Sequence, residues 1–135
     1  MALNPHFLLV SRHAWLDRIT TDLSTSAIFN IYAGVQPADT SAATTAANTI
    51  VAALAFPSTN AFATAAASAI TANTITSDSS AAGGTAAWFS LTKSTGTRVV
   101  DGSVGASGAD LNLNSVTITT GSTVSISAFT ITSAA

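Results

Sequence analysis

Past Ala27 the chain is cut repeatedly by turn signals, and the stretches between them read as short strands or unpatterned loop, so no crossover helix is available. Gly34 with Gln36-Pro37-Ala38-Asp39, then Pro57-Ser58-Thr59-Asn60, the polar stretch from Asp78 to Gly84, Lys93-Ser94-Thr95-Gly96 and Thr120-Gly121 each stop the element before them. Successive parallel strands need a connection of about a dozen residues or more, usually a helix. Parallel α/β architectures are therefore excluded, and short strands joined by tight turns remain.

Between the stops the strands can be placed. Ile28 to Ala33 and Thr49 to Phe56 are the first two, the second ended by Pro57, which cannot donate to a ladder. Ser41 to Asn48 has no period and reads as loop. A third element covers Phe62 to Ile70, and Thr74-Ile75-Thr76 is a short fourth. Thr85 to Thr92 sets Ala87, Phe89 and Leu91 on one face, so Phe89 points to the core and Trp88 outward, or toward a partner or the helix. The turn at 93–96 leads into Thr97 to Val104, where Asp101-Gly102 predicts a bulge or a second turn. Leu111 and Leu113 share a parity that flips to Val116 and Ile118, which predicts a bend near Asn114-Ser115. Thr123 to Thr132 alternates Val124 and Ile126, then shifts to Phe129 and Ile131. This pattern predicts an all-β fold, an antiparallel β-sandwich or jelly roll with a short N-terminal helix.

That helix lies in the one region of different composition. Asn4 before Pro5 is a helix start, and Leu8, Trp15, Leu16, Ile19 and Leu23 follow at helical spacing, which predicts a short helix within residues 5–20. The chain divides into residues 1–24, an arm carrying the helix, and residues 25–135, the β-sandwich domain. A helix this short is marginal alone and needs a surface for its stripe, either its own sandwich or a partner. Phe7, Leu9 and Val10 lie off the stripe, so burying one side leaves some of them exposed. Exposed apolar patches mark interfaces, and Trp and Arg are favoured at their centres. The candidate partner-contact residues are Phe7, Leu8, Leu9, Arg12, Trp15 and Arg18. The N-terminal segment is expected to be an assembly arm in which Trp15 and Arg12 or Arg18 contact a sister subunit or another partner, so that removing residues 1–22 leaves a folded β domain that no longer assembles; unfolding of the truncated chain would instead make the helix core.

Composition narrows the chemistry. Charged residues are 7% of the chain, where about 25% is usual. Four cations cannot form the basic surface that nucleic-acid binding needs. With no cysteine there is no thiolate metal site and no cysteine nucleophile. No apolar run approaches a membrane span. The six Asp are scattered as Asp17, Asp22, Asp39, Asp78, Asp101 and Asp110, mostly beside turn residues, where the carboxylate caps its own backbone. Both histidines, His6 and His13, lie in the N-terminal segment, and the sequence contains no Gly-x-Ser-x-Gly elbow. Gly102, Gly105 and Gly108 lack the helix and lysine of a phosphate loop. Thr-x-Thr triplets at 74–76, 117–119 and 130–132 fall at unequal intervals, unlike an ice-binding array, and read as threonine on solvent-facing strand positions. No enzyme, cofactor or metal is expected.

Several stretches carry a resemblance. Ile28-Phe29-Asn30-Ile31-Tyr32-Ala33-Gly34-Val35-Gln36-Pro37-Ala38 resembles the Arg-Ile-Tyr-x-Gly-x-x-Pro-Ala start of small structural proteins of tailed bacteriophages. Further matching stretches are Ile70 to Ser80, Thr85-Ala86-Ala87-Trp88-Phe89, Val100 to Gly105 with Gly108 to Asn114, and Thr123 to Thr132. His6 to Asp17 departs from the pattern. The resemblance implies a non-enzymatic virion protein, a capsid decoration or cement protein on the capsid exterior, made in the bacterial host cytoplasm. Its expected partners are the major capsid protein and its own copies, with a trimer favoured, and neither nucleic acid nor membrane. A neck or tail component is the second reading. A carbohydrate-binding surface module is a third, in which Trp88, Phe89 and Tyr32 stack on sugar rings.

Overall fold

The computed structural model describes residues 8–133. Helix α1 (Leu9–Leu23) is followed by β1 (Ile28–Tyr32), β2 (Ile50–Ala55), β3 (Ala69–Thr71), β4 (Gly84–Thr85), β5 (Trp88–Thr92), β6 (Arg98–Gly105), β7 (Leu111–Asn112), β8 (Thr117–Ile118) and β9 (Thr130–Thr132). The chain is mostly β with an N-terminal helix, as its turn spacing predicts. Its strands form a five-stranded sheet, in the order β2-β1-β5-β6-β7, and two separate pairs, β3-β9 and β4-β8.

The large sheet is mixed, which corrects the expectation of a wholly antiparallel one. β7 runs parallel to β6, with Val104 opposite Leu111 and Gly105 opposite Asn112. No crossover helix is needed because so few residues pair. Gly108, at φ 68°, helps turn the chain back, and Asp110 anchors the return by accepting the Ser103 N–H and hydroxyl, each at 2.8 Å.

Strands β1 and β5 occupy the middle of the sheet and are buried on both faces. On the front, Phe29 and Phe89 stack with ring centroids 5.0 Å apart, and Phe129 meets both edge-on at 5.1 and 5.4 Å. Phe56 and Phe62 extend the cluster, so every phenylalanine except Phe7, which lies outside the described residues, joins one aromatic core. Asp101-Gly102 forms no bulge. Its register is continuous, with Ser90 opposite Asp101 and Phe89 opposite Gly102. The glycine leaves room for the ring instead, since a Cβ there would lie 2.5 Å from a Phe89 ring carbon. The register shifts fall at Ile31/Tyr32 and Leu91/Thr92.

The third element is a hairpin, not one strand. Ala66 and Ala69 exchange both backbone hydrogen bonds at 2.9 Å, around Ala67 and Ser68 at φ 49° and 62°. In the last stretch only Thr130–Thr132 is strand, and Val124 bridges Asp78. Val124, Ile126 and Phe129 are nonetheless buried, as the alternation predicts.

Two features complete the frame. The helix start expected at Asn4-Pro5 lies outside the described residues, and α1 ends three residues later than the predicted limit of residue 20. Leu16 and Leu23 are wholly buried and Ile19 packs beside them, so α1 belongs to the same core as the strands. At the far side, the outer edge of β2 is occupied by the chain around Thr76 to Gly83. Ala55 and Thr76 exchange backbone hydrogen bonds, Ala53 N–H donates to Asp78 Oδ2 at 2.9 Å, and Gly83 N–H donates to Val51 O at 3.2 Å.

Candidate interaction surface

The inner side of α1 is fastened by apolar and polar contacts. Besides Leu16 and Leu23, His13 Nε2 accepts the Ser68 N–H at 3.2 Å and Asp17 Oδ1 accepts the Ala65 N–H at 2.8 Å. Both bonds dock the helix on the Ala66–Ala69 hairpin. With that side committed, residues at 3.6-residue spacing on the opposite side must face away from the core. Ser11, Trp15, Arg18 and Asp22 form the outer stripe, with Val10 and Ala14 beside it.

Trp15 is 59% exposed, and Leu8, Leu9 and Val10 are exposed as well. Of the six candidate contact residues, Leu8, Leu9 and Trp15 are the exposed large apolar ones among the described residues. Arg18 lies on the Trp15 stripe, and its Nε donates to Asp22 Oδ1 at 2.9 Å. That hydrogen bond, with the opposite charge behind it, lowers the Asp22 carboxyl below its ordinary value and raises the Arg18 guanidinium. A surface pair of this kind, with Arg18 exposed and Asp22 half-buried, contributes little to stability, so Arg18 can exchange Asp22 for a partner at small cost. Arg12 is turned inward: its Nε is buried and has no hydrogen-bond partner among the described residues. The stripe therefore joins Trp15 to Arg18, not to Arg12. Phe7 lies outside the described residues.

The three aromatic residues considered for sugar stacking are all buried. Phe89 is held in the aromatic core. Trp88, expected to face outward or toward a partner or the helix, is fully buried on the back of the sheet. Its ring stacks on Tyr32 at 4.2 Å, with the Arg98 guanidinium 5.5 Å from its centroid. Burial also raises the Tyr32 hydroxyl above its usual range. None of these rings offers a free face to a sugar.

Three aspartates hold backbone. Asp39 accepts the Ser41 hydroxyl and the N–H groups of Ser41 and Ala42; Asp78 accepts those of Ala53 and Ser80; Asp110 accepts Ser103. All three carboxyls lie below their ordinary range because of these hydrogen bonds. Among the described residues no three His, Cys, Asp or Glu side chains group to hold a metal ion, and no helix is long and apolar enough to cross a membrane. The Thr-x-Thr triplets do not share a sheet: Thr117 lies in β8, while Thr130 and Thr132 lie in β9. No protein-family model, characterised protein or solved structure matches this chain.

Proposed function

We propose that this chain is a non-enzymatic structural protein of a tailed-phage particle, a decoration or cement protein that binds the capsid exterior through the outer stripe of α1. The observation that carries the interface is Trp15, exposed on the outer stripe with Arg18 while Leu8, Leu9 and Val10 are exposed at the start of the same helix, whose opposite side is anchored in the core. A large aromatic ring beside an arginine is the composition of an interface centre. The phage assignment rests on the resemblance in sequence. The β-sandwich belongs to the same proposal, with the β3-β9 and β4-β8 pairs and α1 serving as the layer opposite the large sheet.

In this reading the partners are the major capsid protein and sister copies, in a trimer or another homo-oligomer, and the protein acts after synthesis in the host cytoplasm. Standard interfaces bury about 1,200–2,000 Å² in total, and repetition over a shell multiplies weak contacts by avidity. Trp15→Ala and Arg18→Ala should abolish binding to capsids while leaving the thermal midpoint nearly unchanged. Unaltered binding by both variants would move the interface elsewhere. Copy number in purified particles separates decoration from the neck or tail alternative: hundreds of copies support the former, a dozen or fewer the latter. The carbohydrate-binding alternative has lost its exposed rings, and a glycan array with specific hits would be needed to restore it.

A further inference from the structure

Behind the aromatic core, the back of the sheet carries a set of buried polar groups. Register places Asn30, Ser90 and Asp101 in one row across β1, β5 and β6, and Tyr32, Trp88 and Ser103 in the next. Part of this face is internally satisfied. Asn30 Nδ2 donates to Thr92 Oγ1 at 3.1 Å, and Arg98 Nη1 donates to Asp101 Oδ2 at 2.7 Å, both ends of that ion pair being over nine-tenths buried. Three atoms are left over. Trp88 Nε1, Ser90 Oγ and Asp101 Oδ1 are buried without a hydrogen-bond partner among the described residues.

A loop is tied to this face through Arg98. Residues 34–48 form a loop whose ends are tied by the Ala33 N–H to Thr49 O bond at 2.9 Å. Compact loops of this Ω type are held by their own side chains. Here Asp39 folds the turn onto Ser41 and Ala42, and Asn48 donates to Val35 O at 2.7 Å. Arg98 Nη2 donates to the Asp39 and Ala42 carbonyls, so one guanidinium joins the loop to Asp101 on the sheet.

The unpaired set defines what can fill it. The indole N–H only donates, the free carboxylate oxygen only accepts, and the serine hydroxyl does both. A cation would meet the Arg98 charge and the indole hydrogen, and an anion would meet Asp101. A small neutral molecule with donors and acceptors satisfies all three, and buried water characteristically makes about three such bonds. We infer that this face is an internal water site, occupied by one or two ordered molecules bridging Trp88 Nε1, Ser90 Oγ and Asp101 Oδ1, and latched under the 34–48 loop by Arg98.

The rival arrangement is dry. Ser90 and Asp101 are direct cross-strand neighbours, so a change of the Ser90 side-chain rotamer that moves Oγ toward the carboxylate could bond them without water. Water-to-protein cross-relaxation in NMR separates the two, using Trp15→Phe so that Trp88 supplies the single indole signal. The water site predicts cross-peaks from the Trp88 indole hydrogen to a long-lived water, and a crystal structure should show ordered density within hydrogen-bond distance of Ser90 Oγ. A direct Ser90–Asp101 bond with no such density, or no water cross-peak to the indole, overturns the proposal. The latch is tested by Arg98→Lys, which keeps the charge but loses the planar fork. Exchange of the Trp88 indole hydrogen should accelerate at least tenfold in this variant if it folds. An unchanged rate in folded Arg98→Lys removes the latch from the proposal. If that variant fails to fold, Asp39→Asn, which weakens the loop turn without touching the sheet, serves instead with the same expected direction.

Discussion

Gly102 and Phe89 show how one small residue and one large one are chosen together. Phe89 is locked between Phe29 and Phe129, so its ring cannot retreat from a new methyl group at position 102. Overpacking of this kind costs about 1–3 kcal/mol, and Gly102→Ala should lose that much in denaturant unfolding. Removing the ring is worse: Phe89→Ala should cost about 3–5 kcal/mol, and a loss below about 1 kcal/mol would show the core does not rest on it. Ala67 and Ser68 illustrate the opposite case, residues that fit their places poorly. Both hold positive φ in a two-residue hairpin turn, a conformation that favours Asn-Gly. Replacing the pair by Ala67→Asn with Ser68→Gly should raise stability by about 1 kcal/mol, measured as a higher urea midpoint at unchanged slope. The main-chain N–H that docks on His13 survives that change. Because Ala and Ser announce no turn, the hairpin was illegible in the Ala/Ser-rich run that holds it.

At the scale of elements, legibility followed side-chain contrast. β1 and β2 lie within the limits read from their Gly, Pro and β-branched residues, and the 93–96 turn closes with Lys93 N–H donating to Thr97 O at 2.8 Å. The parallel pairing of β7 was not legible, because two paired residues leave no pattern of their own. Nor was the Arg98 latch, whose acceptors are main-chain carbonyls of a distant loop. For α1 the spacing of Leu16 and Leu23 was readable, but whether own core or partner covered them was not. Both are wholly buried within this chain. Leu16→Ala should therefore cost about 2–5 kcal/mol. Removing residues 1–22 should abolish cooperative thermal unfolding, whereas a sharp transition in the truncated chain would show that the sheets stand alone.

The whole molecule should respond to acid through its turn carboxylates. Asp39, Asp78 and Asp110 each have a folded-state value below that of the unfolded chain. The stability this supplies is present above the unfolded carboxylate value of about 3.9 and is lost as pH falls through the lower folded values. The thermal midpoint should be level near neutrality and decline below about pH 4, where unfolded-state carboxylates begin to bind protons. Asp78→Asn should weaken that acid decline; an identical slope would show that its bonds to Ala53 and Ser80 contribute no linkage. At the alkaline end the sign reverses. The raised Tyr32 hydroxyl favours the folded state fully below the unfolded tyrosine value of about 10, and its contribution fades as pH rises through the folded value.

The segment that occupies the outer edge of β2 has a consequence for how densely these molecules can be crowded. With only 7% charged residues, the chain has little long-range repulsion to keep copies apart. An open strand edge in such a molecule would be a template on which neighbours could add indefinitely, the route to fibres. Here most of that row, the Ala55 N–H and C=O, the Ala53 N–H and the Val51 C=O, is consumed internally by Thr76, Asp78 and Gly83. Copies that meet on that flank must do so through side-chain surfaces of finite extent, so contact there ends in a bounded cluster and not a growing ribbon.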